Sequence, residues 1–305
     1  MQTINQISKE VIKKVVHFNT KFRDSYYNSK SSNFKYNFPL PINNVLSTRL
    51  RSIDIPNTWY TFSEHIGNNK FEMKVSMAAK RVVEEERKTI IIPDGNYSSD
   101  DIVNYINLTY LHNVPGGVQT AFSYIKIDIS QSTLKTTFCI VNQPEDVHIH
   151  YDIKFTNPKL KVLTCGLGWM LGFRYAEYQN NSECHPLVSE GLYNGGGDRY
   201  LYISLNDWQK PRINNNIIFL DKGFLDENII GKIYLTEGKF YVNVSEDHSS
   251  DNLKKREYIG PVDINKIHLR LLDDCGCEID LNHMDFSFSL EFEILYEKYQ
   301  KNYIR

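Results

Sequence analysis

Asp285-Phe286-Ser287-Phe288-Ser289-Leu290-Glu291-Phe292-Glu293-Ile294 alternates without a break. Phe286, Phe288, Leu290, Phe292 and Ile294 fall on one side of an extended chain. Asp285, Ser287, Ser289, Glu291 and Glu293 fall on the other. Successive side chains of a strand point to opposite faces, so the stretch reads as a strand with one apolar face; a helix would scatter these aromatics around its circumference. At roughly 3.4 Å per residue it spans about 34 Å. One strand buries no face by itself, so this one requires sheet neighbours and a second layer.

Working outward, residues 266–271 alternate in the same way and pair with 285–294 across the turn Asp273-Asp274-Cys275-Gly276-Cys277. Residues 34–38 form a strand that stops at Pro39 and Pro41, since proline has no N–H for the ladder. Residues 45–56 form another, with a bulge near 51–53. Further strands are expected at 59–62, 71–75, 200–205, 217–220, 231–235 and 240–244. Residues 245–255 read as a loop. Residues 1–17 carry spaced apolar side chains, which suits either a short amphipathic helix or an arm.

A different pattern occupies the middle of the chain. Residues 80–88, with Glu84, Glu85 and Glu86, read as a charged connection, followed by a short buried strand at 89–92. Pro93-Asp94-Gly95-Asn96 is a turn signal. Ser98 or Ser99 caps a helix that has Asp100 and Asp101 in its first turn and Ile102, Val103, Ile106 and Leu111 at helical spacing. Residues 124–129 and 134–140 form a hairpin. The expected organisation is a mainly β chain, a jelly-roll β-sandwich with an inserted small α+β domain. Its parts are an N-terminal arm (1–19), a sandwich core (20–80 and 198–305), the insertion (88–175) and a linker (176–197).

Composition agrees. The chain has 20 Tyr and 16 Phe but alanine only at 78, 79, 121 and 176. Alanine is the best helix former, and aromatic residues favour strands. A net charge of -2 gives no sign of bulk nucleic-acid binding. No apolar run reaches the ~20 residues of a membrane helix, and residues 1–5 lack the features of a signal peptide. Cytoplasmic synthesis is therefore expected, with Cys139, Cys165, Cys184, Cys275 and Cys277 as free thiols.

The motifs that carry chemistry are weak. Cys275 and Cys277 stand one residue apart and, with His283, lack the second ligand pair of a zinc site. His148 and His150 share one face of a strand and read as surface residues. Gly166, Gly168 and Gly172 lack the Lys-Ser/Thr ending of a phosphate loop, and no Gly-Xaa-Ser-Xaa-Gly elbow occurs. No catalytic residue, metal ligand or cofactor site is assigned, and the chain is not expected to be an enzyme. Tyr26, Tyr27, Trp59 and Tyr60 would suit a carbohydrate platform, but packing in a core or an interface is the preferred reading.

Several segments together resemble a known family. They are residues 18–27, 53–62 (Ile-Asp-Ile-Pro-Asn-Thr-Trp-Tyr-Thr-Phe), 95–98, 167–174 (Leu-Gly-Trp-Met-Leu-Gly-Phe-Arg) and 279–288. In that order they resemble capsid proteins of the nucleocytoplasmic large DNA viruses. The resemblance implies a virion protein with a jelly-roll core: a penton at the five-fold vertex or a minor capsid protein. It implies a homo-oligomer, a pentamer for a vertex role. Other partners would be the major capsid protein and further capsid proteins, near an inner viral membrane and without direct nucleic-acid contact. Phe22, Arg23, Tyr26, Tyr27, Trp59 and Tyr60 are the interface candidates. A host receptor or glycan-binding module is the alternative.

Overall fold

The computed structural model describes residues 5–79, 82–112, 120–159, 163–180, 186–214, 218–220, 223–224, 228–246 and 255–301. In chain order the strands are β1 (Asn5–Asn19), β2 (Asn33–Pro56), β3 (Lys70–Ala79), β4 (Val82–Ile91), β5 (Ile125–Ile129), β6 (Thr136–Ile140), β7 (Val147–Lys154), β8 (Glu177–Asn180), β9 (Leu187–Val188), β10 (Tyr200–Asn206), β11 (Pro211–Asn214), β12 (Phe219–Leu220), β13 (Gly223–Phe224), β14 (Ile229–Tyr234), β15 (Val242–Glu246), β16 (Lys255–Leu272) and β17 (Ser287–Lys301). Two compact units form: Met1–Trp59 together with Asp198–Arg305, and Tyr60–Gly197. The fold is mainly β, a jelly-roll-like sandwich with an α+β unit inserted between β2 and β10.

The first unit is built on β17. Phe286, Phe288, Leu290 and Phe292 are buried, as the alternation requires. All pairing is antiparallel, in the order β1-β17-β2-β16-β10-β14, with β11 on β16 and β15 on β2. β2 therefore lies between β16 and β17, and the expected direct pairing of residues 266–271 with 285–294 does not form, because residues 33–37 of β2 take that place beside 266–270. Phe288 pairs with Ile53 in the plane of the sheet. Its ring also meets Phe34 at 6.4 Å and stacks on Phe18 at 4.8 Å. Ile53 and Phe34 both belong to β2, so that strand serves one aromatic from the side and from the opposite layer.

A straight strand of 24 residues would run about 80 Å and could not do this. β2 therefore turns a corner, and its sequence shows where. The ladder with β16 is regular from Asn33↔Arg270 to Asn37↔Lys266 and shifts register on either side of Ile42↔Ile264. Pro39 and Pro41 fall between Asn37 and Ile42, and Asn44 takes a left-handed φ of 58°. This corrects the expectation that Pro39 and Pro41 end a strand. They sit where the ladder is already interrupted, so the missing N–H groups cost little.

The N-terminal segment also departs from expectation. Residues 5–19 are neither helix nor loose arm; β1 pairs with β17 without a register break from Asn5↔Lys301 to Asn19↔Ser287. The outer face of β17 is polar yet largely covered. His17 Nδ1 and Ser289 Oγ lie 2.7 Å apart, Ser47 donates to Glu293 at 2.7 Å, and Lys13 and Lys255 bridge Glu291 and Glu293 at 3.2 and 2.9 Å. Cross-strand pairs of this kind fix register between the faces.

The second unit holds two sheets, β4-β3-β7-β8 and β5-β6-β9, around a core that includes Phe71, Phe138, Tyr151, Phe155 and Phe173. Helix α1 (Ser99–Ile106) starts as expected, with a capping box between Ser98 and Asp101, and continues into one π-helical turn over Asn107–Leu111. A short helix α2 (Leu167–Met170) follows β7. Residues 82–91 are one strand rather than a charged connection. β4 is a sheet edge, where a run such as Glu84-Glu85-Glu86 is solvated and discourages pairing with other chains. Because β3 pairs with β4 and β7, residues 60–79 belong to this unit and not to the sandwich core. The expected linker supplies β8 and β9.

Candidate interaction surfaces

Arg23 organises the loop between β1 and β2. Its Nε donates to Ser29 Oγ at 3.1 Å, Nη1 to the Thr20 carbonyl at 2.8 Å and to Asp285 Oδ1 at 2.7 Å, and Nη2 to the carbonyls of Tyr26 and Ser29 at 3.1 and 3.2 Å. A guanidinium has five N–H donors, and these five acceptors use them all. Asp285 also accepts from Thr20 Oγ1 at 2.8 Å and Tyr26 Oη at 3.1 Å. The side chains of Arg23 and Asp285 are 7% and 10% exposed. Arg23 is thus an internal tie, with its charge already matched.

What the loop presents is aromatic. The Arg23 guanidinium lies 4.0 Å over the Tyr26 ring, and Tyr27 meets Tyr26 edge-on at 5.3 Å. Tyr27 is 95% exposed and Phe22 is 76% exposed. A cleft of about 420 Å³ lies between residues 23–32 and residues 280–283, with Tyr26, Tyr27, Lys30, Asp280 and His283 in its lining. Lys30 Nζ is 3.1 Å from Asp280 Oδ2. Asn282 and His283 take φ of 51° and 61°, and the turn is tied down by Asn282 Nδ2 donating to the Thr58 carbonyl at 2.6 Å.

The other two candidates lie elsewhere. Trp59 is buried at 2% exposure and packs in the sandwich core. Its Nε1 donates to Asp198 Oδ2 at 2.9 Å, while Lys239 Nζ donates to its carbonyl at 2.9 Å and lies 4.7 Å from the ring. Trp59 closes the first segment of its unit and Asp198 opens the second, so this bond ties the two points where the chain leaves and re-enters. Tyr60 is half-buried at the start of the second unit.

Around this tie the charges are perturbed. Burial, and then the neighbouring Asp198, push the Asp273 carboxyl up to about 7. Burial also raises Asp198 and lowers the Lys239 ammonium to about 8. Asp273, Asp274 and Cys275 have potential ligand atoms within 4.8 Å of one another. The donor set is poor for a metal, because Asp273 Oδ1 already accepts from the Cys275 and Cys277 N–H groups and Cys275 is disulfide-bonded. The expectation of free thiols holds at Cys139 and Cys277 but fails at Cys165 and Cys275, since proximity in space is not visible in spacing along the chain. Cys184 lies outside the described residues.

A surface that sequence reasoning missed is β15. It pairs with β2 and with no other strand among the described residues. Phe240, Tyr241, Val242 and Val244 are all more than half exposed, whereas Asn243 between them is buried, with Oδ1 accepting from the Glu237 N–H at 2.8 Å. The polar residue points inward and the valines outward, the reverse of an ordinary surface strand. Its signal was Asn243 alternating against Val242 and Val244.

The described fold defines a class: an antiparallel, jelly-roll-like sandwich interrupted by an α+β unit. No protein-family model matches the sequence, and no curated protein matches it. Among solved structures the chain is similar to a selenomethionine-labelled mavirus penton protein, at 9% identity and a TM-score of 0.47, over 94% of this chain and 100% of that one. A likeness this loose carries no residue or role over to this chain.

Proposed function

We propose that this chain is a structural virion protein, a capsid vertex building block that works by packing against copies of itself and carries out no reaction of its own. The observation that supports the reading best is β15 and the turn before it: a sheet edge open among the described residues, where Phe240, Tyr241, Val242 and Val244 face water in the isolated chain. An exposed apolar edge is an aggregation hazard in a monomer and an asset in an assembly. A second copy is the occupant that follows, because a patch meeting a different patch on the next copy closes a ring when the rotation allows it. The order of family-like segments across residues 18–288 supports the virion assignment.

The test is the mass of the purified full chain in solution together with its symmetry by negative-stain microscopy. Five-fold rings that dissociate in a Val242→Lys, Val244→Lys double variant are expected. A wild-type chain that stays monomeric at high micromolar concentration refutes the vertex role. A monomer that binds purified major capsid protein would place it among minor capsid proteins instead.

A further inference from the structure

The cleft beside Tyr27 remains after assembly through β15 is accounted for, and it is built rather than incidental. Its floor is the Arg23 network, and its far wall is the turn through Asn282 and His283, held by bonds from Asn282 to Thr58 and Asp280. Its volume of about 420 Å³ falls in the range of small-molecule sites. The chemistry on offer narrows the ligand. Arg23 has no donor left for a phosphate or carboxylate, all five being taken by Ser29, Thr20, Asp285 and Tyr26. The charge of Lys30 is matched by Asp280 at 3.1 Å. What the lining presents is a flat aromatic face, the balanced Lys30–Asp280 pair, the Asn28 amide and the His283 imidazole.

We infer that this cleft binds a neutral oligosaccharide, one sugar ring lying on the face of Tyr27 and its hydroxyls meeting Asp280, Lys30, Asn28 and His283. A sugar ring has an apolar face of C–H groups and a rim of hydroxyls that both donate and accept. That pattern matches an aromatic platform edged by a balanced charge pair. An anionic ligand would lack a free guanidinium, and a wholly apolar one would strand the polar rim. Tyr27 is suited to the platform because its ring is exposed and stands nearly perpendicular to that of Tyr26, which is itself fixed beneath Arg23 and bonded to Asp285. The inference is independent of the assembly reading.

The experiment presents the full chain to a printed array of neutral oligosaccharides (chito-, malto- and N-acetyllactosamine series) alongside sialylated and sulfated counterparts. The expected result is binding to at least one neutral series. Tyr27→Ala then weakens that binding at least about tenfold and Tyr27→Trp retains it. Tyr27 is exposed, so both variants keep the wild-type melting temperature and the wild-type oligomer mass. Binding confined to charged glycans, no binding at all, or binding that Tyr27→Ala leaves unchanged overturns the inference. Loss of self-association in Tyr27→Ala without any effect on sugar binding also overturns it, and makes the cleft a protein interface.

Discussion

Arg23→Ala tests whether the loop between β1 and β2 is held by one buried ion pair. Removing the guanidinium leaves Asp285 only the Thr20 and Tyr26 hydroxyls, and it strips a donor from the Thr20, Tyr26 and Ser29 carbonyls. Taking one partner from a buried pair costs about 3–5 kcal/mol, because the other charge stays behind uncompensated. Both side chains are at or below a tenth exposed, so solvent screening does not reduce this much. Arg23→Lys keeps the charge but has three donors in place of five and no planar fork. At least two acceptors then lose a partner, at about 1 kcal/mol each, with a smaller loss from Tyr26 stacking. The expected order of stability is wild type, then Arg23→Lys, then Arg23→Ala. Urea unfolding followed by tryptophan fluorescence reads it cleanly in a Trp169→Phe background, which leaves Trp59 and Trp208, both in the sandwich unit. An Arg23→Ala loss below about 1 kcal/mol, or equal losses in the two variants, would mean that the network is ornamental and the loop is held by its contacts with the sheet.

Other expectations follow from the same geometry. Phe288→Ala removes the ring shared by Phe18, Phe34 and Ile53 and should cost about 3–5 kcal/mol in the same urea assay; a cost under about 1 kcal/mol would place that side chain outside the core. Gly168→Ala sets a methyl group against the Phe155 ring in the second unit and should lower stability by about 1–3 kcal/mol, read as a drop in melting temperature. Asp273 retains its proton up to about pH 7 in the folded chain, against 3.8 ordinarily. Its contribution is therefore fully present below about pH 4 and is lost as the pH rises through 7. Urea midpoints measured between pH 4 and 8 should show that decline in wild type and a flatter profile in Asp273→Asn, whose amide oxygen can still accept from Cys275 and Cys277; parallel profiles would count against the assignment.

The sandwich was legible where one physical signal dominated. Phe286, Phe288, Leu290 and Phe292 could be placed without coordinates because period-two alternation over ten residues has a single compact explanation. The same reasoning misplaced Pro39 and Pro41. A missing N–H argues against a strand only where a ladder bond is required there, and at a corner none is. Glu84, Glu85 and Glu86 misled for a related reason, since strong charge excludes a central strand but suits an edge, and whether a strand is central depends on neighbours far away in sequence. The candidate site shows the limit most sharply. Trp59 and Tyr27 are both aromatic residues in polar surroundings, yet one is core and the other nearly bare. The difference is made by Asp198, 139 residues further along, which satisfies the indole N–H of Trp59 and lets that ring be buried. Arg23 is likewise unremarkable as a letter, because three of the five groups it binds are main-chain carbonyls that every residue possesses. A site assembled from side chains can be sought in a sequence. One assembled from backbone carbonyls becomes visible only when the loop that presents them has been folded, and the loop around Tyr26 and Tyr27 is of that second kind.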